Sequence, residues 1–154
     1  MAEEKIDIEK LLSEGQTIQI KPQGYSMYPL FVPGRDMARI APLGDCHLKR
    51  GNVVLYRRDG SILVLHRIVR RNSTGIYLTG DNQSEIEGPL REDQMRGILV
   101  GFERKGKYVS VRNIWYRMYA SLWLTLRPFR PVISKAAARI KRLVKKCLGN
   151  KESS

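Results

Sequence analysis

A hydroxyl, an imidazole and a carboxylate follow one another along the chain at Ser26, His66 and Asp81. Ser26 sits in Gly24-Tyr25-Ser26-Met27-Tyr28-Pro29, where glycine and proline favour an irregular, exposed segment open to an approaching carbonyl. His66 follows the apolar run Ile62-Leu63-Val64-Leu65, and Asp81 lies in the turn Gly80-Asp81-Asn82. These are the parts needed for nucleophilic acyl transfer. A serine hydroxyl is a weak nucleophile at neutral pH and needs a neighbouring base. An imidazole at the end of an apolar strand is partly desolvated, which favours the neutral form that accepts a proton. A carboxylate can hold the imidazole in one tautomer and stabilise the imidazolium. Each residue also has a plain structural reading: a loop serine, a satisfied strand histidine, an ordinary turn aspartate.

The elements that must carry these residues are strands. Thr17-Ile18-Gln19-Ile20 and Met37-Ala38-Arg39-Ile40 alternate. Val53-Val54-Leu55-Tyr56 and Ile62–Leu65 are short runs of β-formers, joined through an Asp59-Gly60 hairpin signal. Ile76-Tyr77-Leu78-Thr79, Gly97–Phe102 and Lys107–Val111 complete the set. Strands at this spacing predict a mainly β fold with a coiled, mostly antiparallel or barrel-like sheet. Apolar Ile8, Leu11 and Leu12 predict a short amphipathic helix that stops near Gly15. The expected organisation is an N-terminal helix over 1–14, a β domain over 15–111 and a helical C-terminal tail over 112–154.

The wording around the three candidates resembles the type I signal peptidase family. Ser26-Met27 with Pro29 matches the family's nucleophile block, and Gly51-Asn52-Val53-Val54-Leu55-Tyr56 approximates its Gly-Asp turn and strand. His66-Arg67-Ile68-Val69 resembles the base block in its histidine form, as in endoplasmic-reticulum and archaeal relatives, and Gly80-Asp81-Asn82 matches the last block. The blocks keep family order over residues 17–103. The resemblance implies a signal-peptidase-type sheet or pseudo-barrel and a serine endopeptidase. Ser26 would attack, His66 would act as base, and Asp81 would orient it. Relatives of the histidine form carry a second acidic residue a few positions on, so Glu85 and Glu87 are alternatives to Asp81. The resemblance implies no cofactor and no metal. Two positions depart from the pattern. Asn52 stands where the family has Asp, although Asn also closes an Asx-type turn. Gly24 stands where many relatives place a hydroxyl that binds the oxyanion, which shifts that role to the Ser26 N–H. The apolar residues Met27, Leu30 and Phe31 are candidates either for a peptide groove or for core. His47 matches no block and reads as a surface residue, and Asp36 and Asp45 read as turn residues.

Charge divides the chain. The formal net charge is +13, yet residues 1–100 hold 14 Lys and Arg against 13 Asp and Glu. Residues 101–154 hold 14 Lys and Arg against Glu103 and Glu152 alone, which points the tail at an anionic partner. Asn113 caps a first tail helix through Leu126, Arg127-Pro128-Phe129-Arg130-Pro131 breaks it, and a second basic helix is expected over 132–148, with Gly149 as its stop. Trp115 and Trp123 suit a membrane interface. The uncharged stretch Met118–Leu126 is far shorter than the ~20 residues that span a bilayer. Met1–Gln16 is acidic and lacks the apolar run of a signal peptide. Cys46 and Cys147 form no metal-binding spacing and suggest a reducing compartment.

The resulting expectation is a hydrolase that cleaves an extended leader or signal-like peptide. It would be cytoplasmic and peripheral at the inner membrane face, with an anionic membrane surface as partner. The rival readings are an inactive peptide-binding relative and a nucleic-acid-binding module acting through the tail.

Overall fold

The computed structural model describes residues 7–60 and 62–129. Helix α1 (Ile8–Ser13) opens the chain. Asp7 Oδ1 caps it, accepting from the N–H groups of Glu9 and Lys10 at 3.1 Å each. Eight strands follow: β1 (Ile18–Ile20), β2 (Asp36–Ala41), β3 (Val53–Arg57), β4 (Leu63–Asn72), β5 (Gly75–Thr79), β6 (Glu87–Leu90), β7 (Met95–Arg104) and β8 (Lys107–Ser110). Helix α2 (Ile114–Leu126) and a 3₁₀ turn, Arg127–Phe129, close the described chain. The second tail helix expected over 132–148, with Cys147 and Gly149, falls outside the described residues.

All strand pairings are antiparallel, in the order β1-β2-β7-β3-β4-β5-β6. β7 is the hub. It pairs with β2 over Ile98–Arg104, with β3 over Met95–Ile98 and with β8 over Gly101–Arg104. The fold is therefore a mainly antiparallel β sheet with a C-terminal helix, and the sheet is not closed into a barrel. The barrel-like expectation yields here because the last strand is a poor template. β6 reads Glu87-Gly88-Pro89-Leu90, its proline lacks an N–H, and its pairing with β5 is interrupted by a register shift.

Successive residues of β3 and β4 bury opposite faces. Val53, Leu55 and Leu65 join Leu12, Met27, Leu30, Phe31 and Phe102 in one cluster. Val54, Tyr56 and Ile68 join Leu48, Leu78, Met95 and Ile98 in the other. Coverage on both faces explains why β3 reads as an unbroken apolar run instead of an alternation. Each fully buried aliphatic side chain contributes roughly 1.5–3 kcal/mol relative to exposure.

Asp36, expected in a turn, is a buried clamp at the start of β2. It accepts from Arg35, from Arg104 Nε at 2.8 Å and from the Val32 N–H at 2.8 Å. Burial pushes its carboxyl up, but these donors outweigh that and hold it down to about 2. Arg104 also bonds the Leu30 carbonyl at 2.6 Å, so the clamp fixes the end of the Ser26 segment. α2 starts where expected, with Asn113 Oδ1 accepting from the Trp115 N–H at 2.8 Å. Its Tyr116 and Tyr119 pack against the first cluster. Among the described residues, no helix is long and apolar enough to cross a membrane.

Candidate active site

Ser26 lies in the turn between β1 and β2 and is half-buried. Its neighbours Met27, Leu30 and Phe31 are buried in the core at 3%, 4% and 1% exposure. They are anchors under the turn, not the lining of a peptide groove. The turn is bonded internally from the Phe31 N–H to the Met27 carbonyl at 3.0 Å. It is also locked to the last sequence block, because the Asn82 N–H donates to the Ser26 carbonyl at 2.7 Å. Gly80 permits that approach. A Cβ there would collide with the Ser26 carbonyl oxygen and come within 2.8 Å of Gln83 Oε1. Among the described residues, neither the Ser26 N–H nor its Oγ has a hydrogen-bond partner, so the hydroxyl is not bonded to His66.

His66 lies on β4 opposite Val54 and is 3% exposed. Its Nδ1 is 3.1 Å from Tyr56 Oη, and Tyr56 Oη lies 2.6 Å from Glu87 Oε2. Arg58 grips Glu87 from the other side, Nε to Oε1 at 2.7 Å and Nη2 to Oε2 at 2.6 Å. Burial pushes the His66 imidazolium down to about 4; Glu87 and Asp81 act against this and Arg58 adds to it. The ring is therefore neutral at physiological pH. It borders a cleft of about 320 Å³ together with Arg58, Thr79, Gln83, Glu85 and Glu87. Thr79 connects this cleft to the Ser26 turn, since the next residue is Gly80.

Asp81 does not bond His66. Its carboxylate receives Arg67 Nε and Nη2 at 2.7 Å each and Tyr119 Oη at 3.3 Å. The reason is strand geometry. His66 and Arg67 are consecutive, so their side chains leave opposite faces of β4. Arg67 goes to the face covered by α2, and Asp81 goes with it. Both charges are fully buried, at 0% and 1% side-chain exposure. Arg67 Nη1 also bonds the Gly51 carbonyl at 2.8 Å, and Trp123 Nε1 bonds the Asp81 carbonyl at 2.9 Å. Trp123 stacks on Tyr119 with ring centroids 5.8 Å apart, so it faces the body, while Trp115 is 74% exposed.

Other expectations fall out simply. Asn52 Oδ1 accepts the Lys49 N–H at 2.8 Å, so the turn keeps a side-chain acceptor without a carboxylate. Glu85 borders the cleft, and its carbonyl accepts from Thr79 Oγ1 at 2.6 Å. His47 and the free Cys46 are exposed. A separate groove of about 780 Å³ lies between α2 and the turn before β3, with Lys49, Arg50, Arg112 and Arg117 on its walls. Sequence reasoning passed over Tyr56, Arg58 and Arg67. Arg67 adjoins the predicted base, which was a usable signal; Tyr56 read only as the end of a core strand.

No protein-family model matches the chain, and no curated protein matches it.

Proposed function

We propose that the chain is a serine endopeptidase of the signal-peptidase kind, acting on an extended leader-like peptide. The observation that carries this reading is the lock between the Ser26 turn and Gly80-Asp81-Asn82, which adjoins, through Thr79 and Gln83, the cleft of a histidine held neutral by burial. In this reading Ser26 Oγ attacks the scissile carbonyl and His66 takes the hydroxyl proton. The unengaged Ser26 N–H donates a hydrogen bond to the oxyanion. His66 returns the proton to the leaving amine, and water then releases the acyl group. Asp81 serves the site through Arg67, by fastening α2 and the turn that carries Asn82. The test is labelling by a serine-directed fluorophosphonate and processing of peptides encoded beside this gene. Labelling and cleavage are expected in wild type and absent in Ser26→Ala. Identical products from both proteins would leave a peptide-binding relative.

We infer in addition that the partner of the tail is an anionic membrane surface, which would put the protein at the inner membrane face. α2 turns Ile114, Trp115, Met118 and Leu122 to solvent, and the chain around it is strongly basic. This stripe lies on the side of α2 away from the buried Ala120 and from Tyr116, which packs on the first cluster. Flotation with anionic vesicles, lost in Trp115→Ser and Leu122→Ser, is the expected result. Binding to RNA or DNA at matched salt, with no flotation, would point to nucleic acid instead.

A further inference from the structure

Tyr56 has one phenolic proton and two neighbours able to accept it. Glu87 Oε2 is 2.6 Å away and His66 Nδ1 is 3.1 Å away. Arg58 keeps Glu87 ionised, and its two bonds hold the carboxyl below the usual range. Burial pushes the phenol up, so it stays protonated. A hydrogen bond to a carboxylate is shorter and roughly twice as strong as a neutral one. The phenolic proton therefore points at Glu87. Oη then offers only lone pairs to the ring, so Nδ1 must be the donor. A neutral imidazole has a single N–H. With that proton on Nδ1, Nε2 is a bare acceptor.

We propose that Tyr56 is a positioning residue that relays the Glu87 carboxylate to His66 and fixes the tautomer in which Nε2 is free to take a proton. This is the role a directly bonded aspartate plays in a Ser-His-Asp arrangement. Its catalytic consequence rests on the peptidase reading; the tautomer does not. When Nε2 takes the Ser26 proton, Nδ1–H stays on Tyr56 and the Tyr56 proton stays on Glu87. No second proton transfer is needed. The phenol also sets the charge one hydrogen bond further from the ring. Burial then outweighs the carboxylate, and the ring titrates below an ordinary histidine. Glu85 borders the same cleft as the ring, and the charged groups that act on the ring are Glu87 on β6, Arg58 after β3 and, from the other face of β4, Asp81 after β5. Of these, Arg58 disfavours the imidazolium and the two carboxylates favour it.

The test is ¹⁵N NMR of the full chain. The only other histidine is exposed His47, so a His47→Gln background leaves one imidazole to read. At pH 7 the proton is expected on Nδ1, with Nε2 unprotonated. A proton on Nε2 would overturn the relay, and this measurement needs no change at the site. Tyr56→Phe is expected to release the tautomer and to slow Ser26 labelling by roughly 100-fold. Glu87→Gln is expected to move the His66 titration further down, because it removes a favourable charge and leaves Arg58 opposing the imidazolium. A folded Tyr56→Phe that keeps the Nδ1 proton and the full labelling rate would also overturn the proposal. The expected tautomer without any Ser26 labelling in wild type would remove the peptidase reading and leave the relay standing.

Discussion

His66 and Arg67 are neighbours in sequence and opposites in environment. Both are buried, and both have a nearby acidic residue. Arg67 meets its carboxylate directly, through two bonds of 2.7 Å, and remains fully charged. His66 meets Glu87 only through a phenol, and burial holds it neutral. A buried charge needs a geometrically matched partner to survive desolvation. A buried base needs the reverse: enough isolation to stay neutral, and one bond to aim it. The alternation of β4 supplies both conditions one residue apart. One face becomes a rigid ionic anchor under α2, and the other becomes a candidate proton-transfer site.

This contrast can be broken at its strongest point first. His66→Gln should lower fluorophosphonate labelling of Ser26 by about 10²–10⁴-fold while the protein stays folded. An unchanged rate would deny the ring its role as base. Asp81→Ala should do the opposite, costing about 3–5 kcal/mol of stability because Arg67 is left buried and unpaired. Urea denaturation reads this directly. A loss well under 1 kcal/mol would mean that the pair adds nothing to the fold.

The pH dependence separates the two faces further. The folded pKa of His66, about 4, lies below its ordinary value of 6.5, so the unfolded chain binds the proton first. Its contribution to stability is complete above about pH 6.5 and is lost as pH falls toward about 4. The urea midpoint should drop across that window, and His66→Gln should flatten the drop between about pH 6.5 and about 4. Glu9, held down to about 2 by bonds from Arg57 and Arg96 despite partial burial, contributes in full above about pH 4.5 and loses that contribution only as pH falls toward about 2. The smallest effect is expected at the exposed Arg91–Asp93 pair, where Arg91→Ala should leave the melting temperature unchanged. A clear drop there would show that surface pairs also anchor this sheet.

Much of the sheet was legible in the sequence. β3 over Val53–Arg57 and β5 over Gly75–Thr79 sit on the runs of β-formers that announced them. β4 was underestimated: it continues past His66 to Asn72, because polar Arg70 and Arg71 hide a strand whose pairing with β5 sustains it. β6 was missed altogether, since Glu87-Gly88-Pro89-Leu90 carries no strand propensity and exists through its partner β5. At the site, the sequence brought forward Ser26, His66 and the Gly80-Asp81-Asn82 turn. It did not separate the roles of Asp81 and Glu87, because adjacency in sequence says nothing about which face a partner will reach.

Local chemistry fixed what each segment is made for. Gly24, Pro29 and Gly80 make turns, Val53 to Tyr56 make a buried strand, and Asn113 starts a helix. Those preferences act over a few residues and need no knowledge of the rest of the chain. Which acid meets which base was decided only when β3, β4, β6 and α2 came together. Hydrogen bonds of 2.6–3.3 Å form between groups 10 to 38 positions apart, and packing alone chooses among them.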